Sequence, residues 1–447
     1  MKITNKAFII IAAALASIAL SPVAKAVIPP PDGGYPGGNT AEGQNALLSL
    51  TTGGFNTGVG FLSLRSNTTG SLNTATGAGA LLANTGDQNT ATGAGALLSN
   101  TSGTSNTANG AFALFSNTIN GGNTATGARA LFSNTTGSYN TANGAFALES
   151  NTTGSGNAAN GSQTLRENIT GSNNTATGFL ALYHNTADGN TASGYGALSA
   201  NTIGENNTAN GLRALEINTT GRANTATGVF ALFQNTSGSQ NTAIGGAALA
   251  SNTSGVLNVA LGDNAGGGVT TANNVIAIGG GVAGENVDNT CYIGNIFGVT
   301  SSGGTGVFIN SAGKLGTGTS SRRFKDDIKP MDQTSEAILA LQPVTFRYIK
   351  EIDPEGRSHF GLVAEDVEKV NPDLVVRDKE GKPYTVRYDQ VNAMLLNEFL
   401  KSHRKVQDLE GTVARQQRQK EVLALGLEKL SAQIEVSNPR SRVVQVP

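Results

Sequence analysis

Asn106-Thr107-Ala108-Asn109-Gly110-Ala111-Phe112-Ala113-Leu114-Phe115-Ser116-Asn117-Thr118-Ile119-Asn120-Gly121-Gly122 is one period of a pattern that fills more than half of this 447-residue chain. Its opening Asn-Thr-Ala-x-Gly recurs, with drift, from Asn39, Asn56 and Asn73 through to Asn241 and Asn258, at a spacing of 17 residues and occasionally 16. Eight residues after the leading Asn, thirteen successive copies carry a Leu, from Leu47 and Leu64 to Leu232 and Leu249. The copy at Asn258 has Gly266 there, and Asn274 opens a degenerate last turn, as a capping repeat does.

A 17-residue unit is too short for a helical hairpin, and its apolar stretches are punctuated by Asn-Thr, Thr-Gly and Ser-Gly turn chemistry. The period predicts a mainly β fold: a solenoid or β-roll with two short strands per coil, small residues inside, a Leu column, and Asn side chains forming an amide ladder between coils. Fourteen coils at the ~4.8 Å strand spacing make a rod of about 65 Å. One Leu per coil is a thin core, which predicts three chains packing their Leu columns together as a trimeric β-roll. The competing reading, a disordered Gly/Ser/Thr/Asn linker, gives no reason for one apolar residue to stay in phase over thirteen copies. In style the array resembles the head repeats of trimeric autotransporter adhesins and of phage tail-fibre-like proteins.

Outward from the array, the chain changes character at both ends. Lys2 and Lys6, the apolar run Ala7–Leu20 and Ala24-Lys25-Ala26 have the layout of a secretory signal peptide cleaved after Ala26, with a retained N-terminal anchor as the alternative. The resulting plan is a signal peptide at 1–26, a Pro/Gly linker at 27–38, the repeat head at 39–289, a β neck at 290–319, a C-terminal domain at 320–394, a coiled coil at 395–436 and a tail at 437–447. Most of the 30 Lys and Arg and of the 31 Asp and Glu lie from Ser320 onward, nearly balanced. Neither a basic nucleic-acid footprint nor a membrane span after signal removal is expected.

The array itself offers little chemistry. Glu42, Asp87, Glu149, Glu167, Asp188, Glu205 and Glu216 occupy different coil positions, with no pair recurring as a glycosidase would need, although a dyad between coils stays open. His184 is its only histidine and reads as an exposed solitary side chain; no metal or cofactor is expected. Gly279-Gly280-Gly281 lacks the Lys-Ser/Thr of a phosphate loop. Cys291, the only cysteine, can form no intrachain disulfide and reads as a small buried hydrophobe. The array is therefore expected to be a display surface for an unknown surface glycan or protein ligand.

In the neck, Tyr292-Ile293-Gly294-Asn295-Ile296 and Val307-Phe308-Ile309-Asn310 are strand-like runs. They lead to Thr319 and to Ser320-Ser321-Arg322-Arg323-Phe324-Lys325. A serine hydroxyl needs a base to become a nucleophile, and a lysine of depressed pKa can be that base.

Ser320, Arg323, Lys325 and Ile328, then Leu341-Gln342-Pro343-Val344-Thr345-Phe346-Arg347-Tyr348, Phe360-Gly361-Leu362-Val363-Ala364-Glu365-Asp366-Val367, Asn371-Pro372 and Val386-Arg387-Tyr388-Asp389 follow in order. This segment resembles the intramolecular chaperone domain of endosialidases and tail spikes, the auto-processing serine peptidase family seventy-four. The resemblance implies an α+β domain that trimerises its passenger and then cuts itself off before a serine with a Ser-Lys dyad. Carried over by position, Ser320 is the nucleophile, Lys325 the base, and Thr319/Ser320 the cleavage site. The acidic residue that commonly follows the nucleophile in the family is Ser321 here.

Phe399, Ser402, Val406, Leu409, Val413, Gln416, Lys420, Leu423, Leu427, Leu430 and Ile434 alternate three and four apart, which predicts a C-terminal trimeric coiled coil; a lone amphipathic helix would show the same stripe. Two functions are consistent with this plan. One is an exported bacterial adhesin or receptor-binding fibre, secreted or at the cell surface, a homotrimer matured by its own peptidase. The alternative is a polysaccharide-degrading, tail-spike-like enzyme assembled by the same chaperone.

Overall fold

The computed structural model describes residues 35–299, 302–310 and 312–437. The signal peptide with Ala26, most of the Pro/Gly linker and the tail after Ser437 lie outside the described residues. The chain forms two compact units, one ending at Val299 and one covering the rest.

The first unit is a β-solenoid. Each coil contributes one three-residue strand, from β1 (Thr40–Glu42) to β15 (Ile276–Ile278) and β16 (Cys291–Ile293), and these pair in sequence order as one parallel 16-stranded sheet. Equivalent residues pair across rungs, as in Thr124 with Thr141 and Ala125 with Ala142. Tyr292 and Ile293, expected in the neck, thus extend the array's sheet. Cys291 is exposed, which corrects its reading as a buried hydrophobe.

Two strands per coil were expected, and one forms. The second apolar stretch runs through left-handed backbone at two positions, such as Phe146 (φ 62°) and Leu148 (φ 51°), so it cannot be a pleated strand. It is nonetheless bonded to both neighbours: the Phe146 N–H donates back to Ala128 O (3.0 Å) and the Leu148 N–H forward to Thr164 O (3.0 Å). The motif glycine also has positive φ, 142° at Gly144, and a Cβ there would sit 2.4 Å from Gly161 O, which explains why Asn-Thr-Ala-x ends in Gly.

The Leu column is complete inside one chain. Leu64 to Leu249 are fully buried, together with the strand alanines and the residue before each Leu, an Ala except at Ser63 and Thr164, which overturns the expectation that the columns need partner chains. Burying a Leu is worth about 1.5–3 kcal/mol, while a left-handed backbone at a bulky residue costs roughly 1–2 kcal/mol. The margin per coil is small, and further stabilisation has to come from polar closure. The column ends at Gly266, over which the Leu249 side chain packs, with Cδ2 2.8 Å from where a Cβ would stand.

Closure comes from two amide ladders. The leading Asn N–H donates to Oδ1 of the leading Asn one coil earlier, as from Asn140 to Asn123 (3.0 Å). A second Asn, eleven residues on, repeats the contact through side chains: Asn151 Nδ2 donates to Asn134 Oδ1 (2.8 Å), and Asn168 Nδ2 to Asn151 Oδ1 (2.9 Å). Both asparagines of a coil donate to one carbonyl, Gly154 O, from Asn140 (2.8 Å) and Asn151 (3.0 Å). In the 16-residue coils the residue lost lies between the second Asn and that carbonyl, so Asn84 reaches Gly86 O at 2.8 Å and the closure survives. Val275 rather than Asn274 takes the ladder position in the last turn; its N–H still donates to Asn258 Oδ1 (2.8 Å), and the ladder stops there.

The second unit holds an antiparallel hairpin, β17 (Val307–Ile309) with β18 (Leu315–Thr317), a pair β19 (Val344–Phe346) with β20 (His359–Gly361), a helix α1 (Ala364–Val370), a hairpin β21 (Val375–Arg377) with β22 (Pro383–Val386), and a 50-residue helix α2 (Tyr388–Ser437). Its core is small: Val367, Leu374, Val375, Val386 and Met394, flanked by Met331, Ile338, Leu341 and Leu362. Family-like motifs meet here. Gly361 lies against the hydroxyl of Tyr388, whose Oη accepts the Leu362 N–H (3.0 Å), and Asn371 Oδ1 caps the turn at Pro372 by accepting from Asp373 N–H (3.0 Å). Helix α2 runs unbroken through Gly411 and Gly426, and Val406, Leu409, Val413, Leu423, Leu427, Leu430 and Ile434 are all exposed on it.

Replacing Asn151 with Ala should strip a donor from the buried Asn134 Oδ1 and an acceptor from the buried Asn168 Nδ2, at a cost of about 1–3 kcal/mol for each group left short. Hydrogen exchange should show lost protection centred on those coils, and uniform protection equal to wild type would contradict the ladder's role.

Candidate processing site

The site is built by a short 3-10 turn. After β18 the chain passes Gly318 and Thr319, and Ser321 to Lys325 then fold back, with Phe324 N–H donating to Ser321 O (3.0 Å) and Lys325 N–H to Arg322 O (3.1 Å). One such turn returns the fifth residue over the start, so Lys325 Nζ stands 3.1 Å from Ser320 Oγ and donates to it. Thr319, Ser320, Ser321 and Lys325 are all exposed. The Arg323 guanidinium lies over the Phe324 ring, 4.5 Å from its centroid, and Lys329 pairs with Asp327 at 2.8 Å. Upstream, Phe308 of the hairpin closes on Gly318, where a Cβ would meet its ring at 3.0 Å, so the segment before the Thr319–Ser320 bond is anchored two residues away.

A second polar cluster joins the 3-10 helix Asp332–Ala340 to the first turns of α2. The buried Ser335 Oγ contacts Glu398 Oε1 (2.5 Å) and accepts from Asn397 Nδ2 (2.7 Å); Lys401 Nζ reaches Glu398 (2.7 Å) and Glu336 (3.2 Å). The Lys401 ammonium, and then the Ser335 hydroxyl, hold the Glu398 carboxyl below its usual range; Glu398 in turn raises Lys401. Nothing in the spacing of Ser335, Glu398 and Lys401 announced this contact, since more than sixty residues separate its halves.

Several of the array's charged residues are paired across coils. Glu149 is buried between Arg129 and Arg166, each at 2.7 Å, and the guanidinium of Arg166 lies over Phe146 (5.2 Å) and Tyr183 (5.9 Å). The carboxylate raises Arg166 above its usual value. A glutamate held between two guanidiniums is a cross-coil brace. His184 is exposed as expected, but it is paired, with Nδ1 2.7 Å from Glu167 Oε2. The recurrence of large side chains six and nine residues after the leading Asn was the available signal for this stack. Among the described residues no three His, Cys, Asp or Glu stand together as a metal group, and no helix is long and apolar enough to cross a membrane.

Residues 320–376 match the family model described as the chaperone of endosialidase. The match opens at Ser320 and includes Lys325, β19, β20 and α1. Comparison with curated proteins and with solved structures returns no match. The chain therefore carries a chaperone-of-endosialidase segment after a β-solenoid, the combination of a tail-fibre- or spike-like protein.

The Ser335–Glu398–Lys401 clasp sets a pH dependence. A carboxyl depressed in the folded state stabilises fully above the ordinary glutamate range and stops doing so as pH falls through its lower folded value; the raised Lys401 adds a loss at alkaline pH. Glu398→Gln should lower the melting temperature of the C-terminal unit at neutral pH and flatten its fall into acid. An unchanged acid limb in that variant would show that the clasp carries no stability.

Proposed function

We propose that this chain is an exported fibrous adhesin or receptor-binding protein of bacterial origin, secreted or displayed at the cell surface, that assembles as a homotrimer under its C-terminal chaperone and is then cut at Thr319–Ser320. The observation that carries this reading is the contact of Ser320 Oγ with Lys325 Nζ at the first residues of the family match.

The chemistry needs no separate substrate cleft. Lys325, once neutral, takes the Ser320 hydroxyl proton, and Oγ attacks the Thr319 carbonyl carbon in a five-membered ring. The C–N bond breaks, the proton passes to the Ser320 nitrogen, and Thr319 is left as an ester on Oγ. Water then hydrolyses the ester, giving a Thr319 carboxylate and a fragment whose N-terminus is Ser320. Proximity within one turn supplies most of the rate.

In a single chain Lys325 is exposed to solvent, with its Nζ 3.1 Å from Ser320 Oγ. Desolvation beside Arg322 and Arg323 would favour the neutral amine. Packing of three chains supplies that desolvation, so cleavage reports assembly. Support for the trimer comes from α2, whose heptad stripe is exposed from Val406 to Ile434 and would bury itself as a parallel coiled coil.

Mass spectrometry of the purified protein should find a C-terminal fragment beginning at Ser320. Ser320→Ala and Lys325→Ala should each abolish it, and Ser321→Ala should leave it, because that hydroxyl is one residue too far from the Thr319 carbonyl for the same ring. Release of the same fragment from Ser320→Ala at the wild-type rate would transfer the cut to an external protease acting on an exposed linker.

Light scattering of the uncut Ser320→Ala precursor should give three times the chain mass; a monomer mass would reject the assembly. Deleting Leu395 onward should leave the array aggregated or protease-sensitive, since in-register stacking of many parallel coils is slow without a nucleus.

A further inference from the structure

Between β3 (Thr74–Thr76) and β12 (Thr225–Thr227) the outward face of the solenoid sheet repeats one surface ten times. The first outward residue of each rung is Thr, save Ala158; the third is Thr, Asn or Ser. Both are exposed or half-exposed while the Ala between them is buried, and adjacent rungs pair Thr with Thr in register. The result is two parallel rows of hydroxyls and amides, with rungs about 4.8 Å apart and rows about 6.6 Å apart. Asn143 Nδ2 donates to Asn160 Oδ1 (3.3 Å), so neighbouring amides of the second row are also tied to each other. None of these ten rungs carries a charge or an aromatic ring in either row. Glu42 lies before them, and Ile244, Val259 and Leu261 after them.

We infer that this face binds ice, the crystal lattice of water. Charge complementarity selects a neutral partner: an anionic glycan, a nucleic acid or a lipid headgroup would meet no counter-charge on the rows. A neutral glycan is ordinarily held by stacking on aromatic rings. The exposed rings nearest in sequence are Tyr139, two residues before the first row at Thr141, and Phe179 and Tyr195, two residues beyond the second row, which pair with each other, centroids 5.8 Å apart; three scattered rings make no aromatic row along the ten rungs. A second copy of this chain would have to desolvate rows of hydroxyls and amides with almost no apolar gain. Crystalline water has the matching chemistry. Each Thr places a methyl, around which water is orientationally restricted, beside a hydroxyl that anchors the same water. The buried Ala column and the amide ladders hold these anchors in a fixed two-dimensional repeat, so none of the ordering has to be provided on contact. One anchored water contributes almost nothing, and ten rungs in register act together on a lattice that repeats with them.

The inference rests on reading the array as a display surface and names its ligand. The test is capture of the purified full chain into slowly growing polycrystalline ice, with recrystallisation of the ice followed in parallel. Wild type should be enriched in the ice over the liquid and should slow recrystallisation. Thr124→Lys/Thr175→Lys, which puts two long charges on the first row, should lose both effects. Thr136→Lys/Thr153→Lys, exposed at positions outside both rows, should keep them. Rejection of wild type from ice as an ordinary solute overturns the inference whatever the variants do, as does equal capture of the first double variant with an unchanged melting curve. Capture by crystalline cellulose without capture by ice would overturn it in favour of a neutral glycan. Fragment release at Ser320 is read separately, so failure here is distinguishable from failure of the assembly and cleavage reading.

Discussion

A single carbonyl in each coil from the one at Asn56 to the one at Asn241, accepting from two asparagine side chains, is the constraint on which the solenoid depends. Gly154 O receives Asn140 from the start of the coil and Asn151 from its middle, which brings together points eleven residues apart along the chain. The same asparagines reach the preceding coil, Asn140 by its N–H and Asn151 by its amide, so closing one coil and stacking it on the last are a single act. A buried amide without partners is costly, and a coil that loses one of these residues disturbs both neighbours. That is why a one-residue deletion is accepted in the turn leading to the carbonyl and nowhere else in the two 16-residue coils, at Asn84 and Asn185.

The closure also determines what the interior can be. With the coil held this tightly, the second apolar stretch turns through left-handed backbone, and the Leu that follows is enclosed by its own chain. Leu burial and backbone strain are of similar size there, so the array gains stability by repetition rather than from any one coil. An array sealed in this way has no internal need of partners. On the proposed assembly, association would draw on the C-terminal unit, whose core is small and whose long helix leaves its apolar stripe exposed.

Much of this was legible in the residues, and the limits have physical causes. The repeat period and the leading Asn pointed to coils and to an amide ladder because period and hydrogen-bonding chemistry are local properties. The second ladder was missed because Asn-Thr-Thr and Asn-Thr-Ser were assigned to turns, a reading that overlooks the donors such a turn can aim inward. The strand count failed because Leu at φ near 50° runs against its own preference, and only the stacked hydrogen bonds hold it there. The Leu column was placed between chains because sequence shows how many apolar residues a coil has and not how far the strand alanines and their neighbours enclose them. Glu149 and Arg166 stand one period apart, a signal present in the repeat but not read, whereas the Ser335–Glu398 contact was invisible because it joins residues whose separation carries no pattern.

The seam shows the same division between local and assembled properties. Five residues and one 3-10 turn are enough to set Lys325 against Ser320, which is why spacing alone anticipated the pair. Proximity does not make a base. An exposed lysine with its protons in place can only donate to the serine, and removing a proton at ordinary pH requires an environment with less water around the amine. A single chain does not provide it: the whole stretch from Gly318 to Lys329 is exposed, and Arg323 is turned onto Phe324. On the proposed assembly, geometry written into the turn and desolvation withheld until chains meet would keep the bond intact until the trimer forms. On the proposed mechanism, timing is thus a consequence of burial, and the peptide bond before Ser320 breaks only after the molecule that needs its chaperone has finished using it.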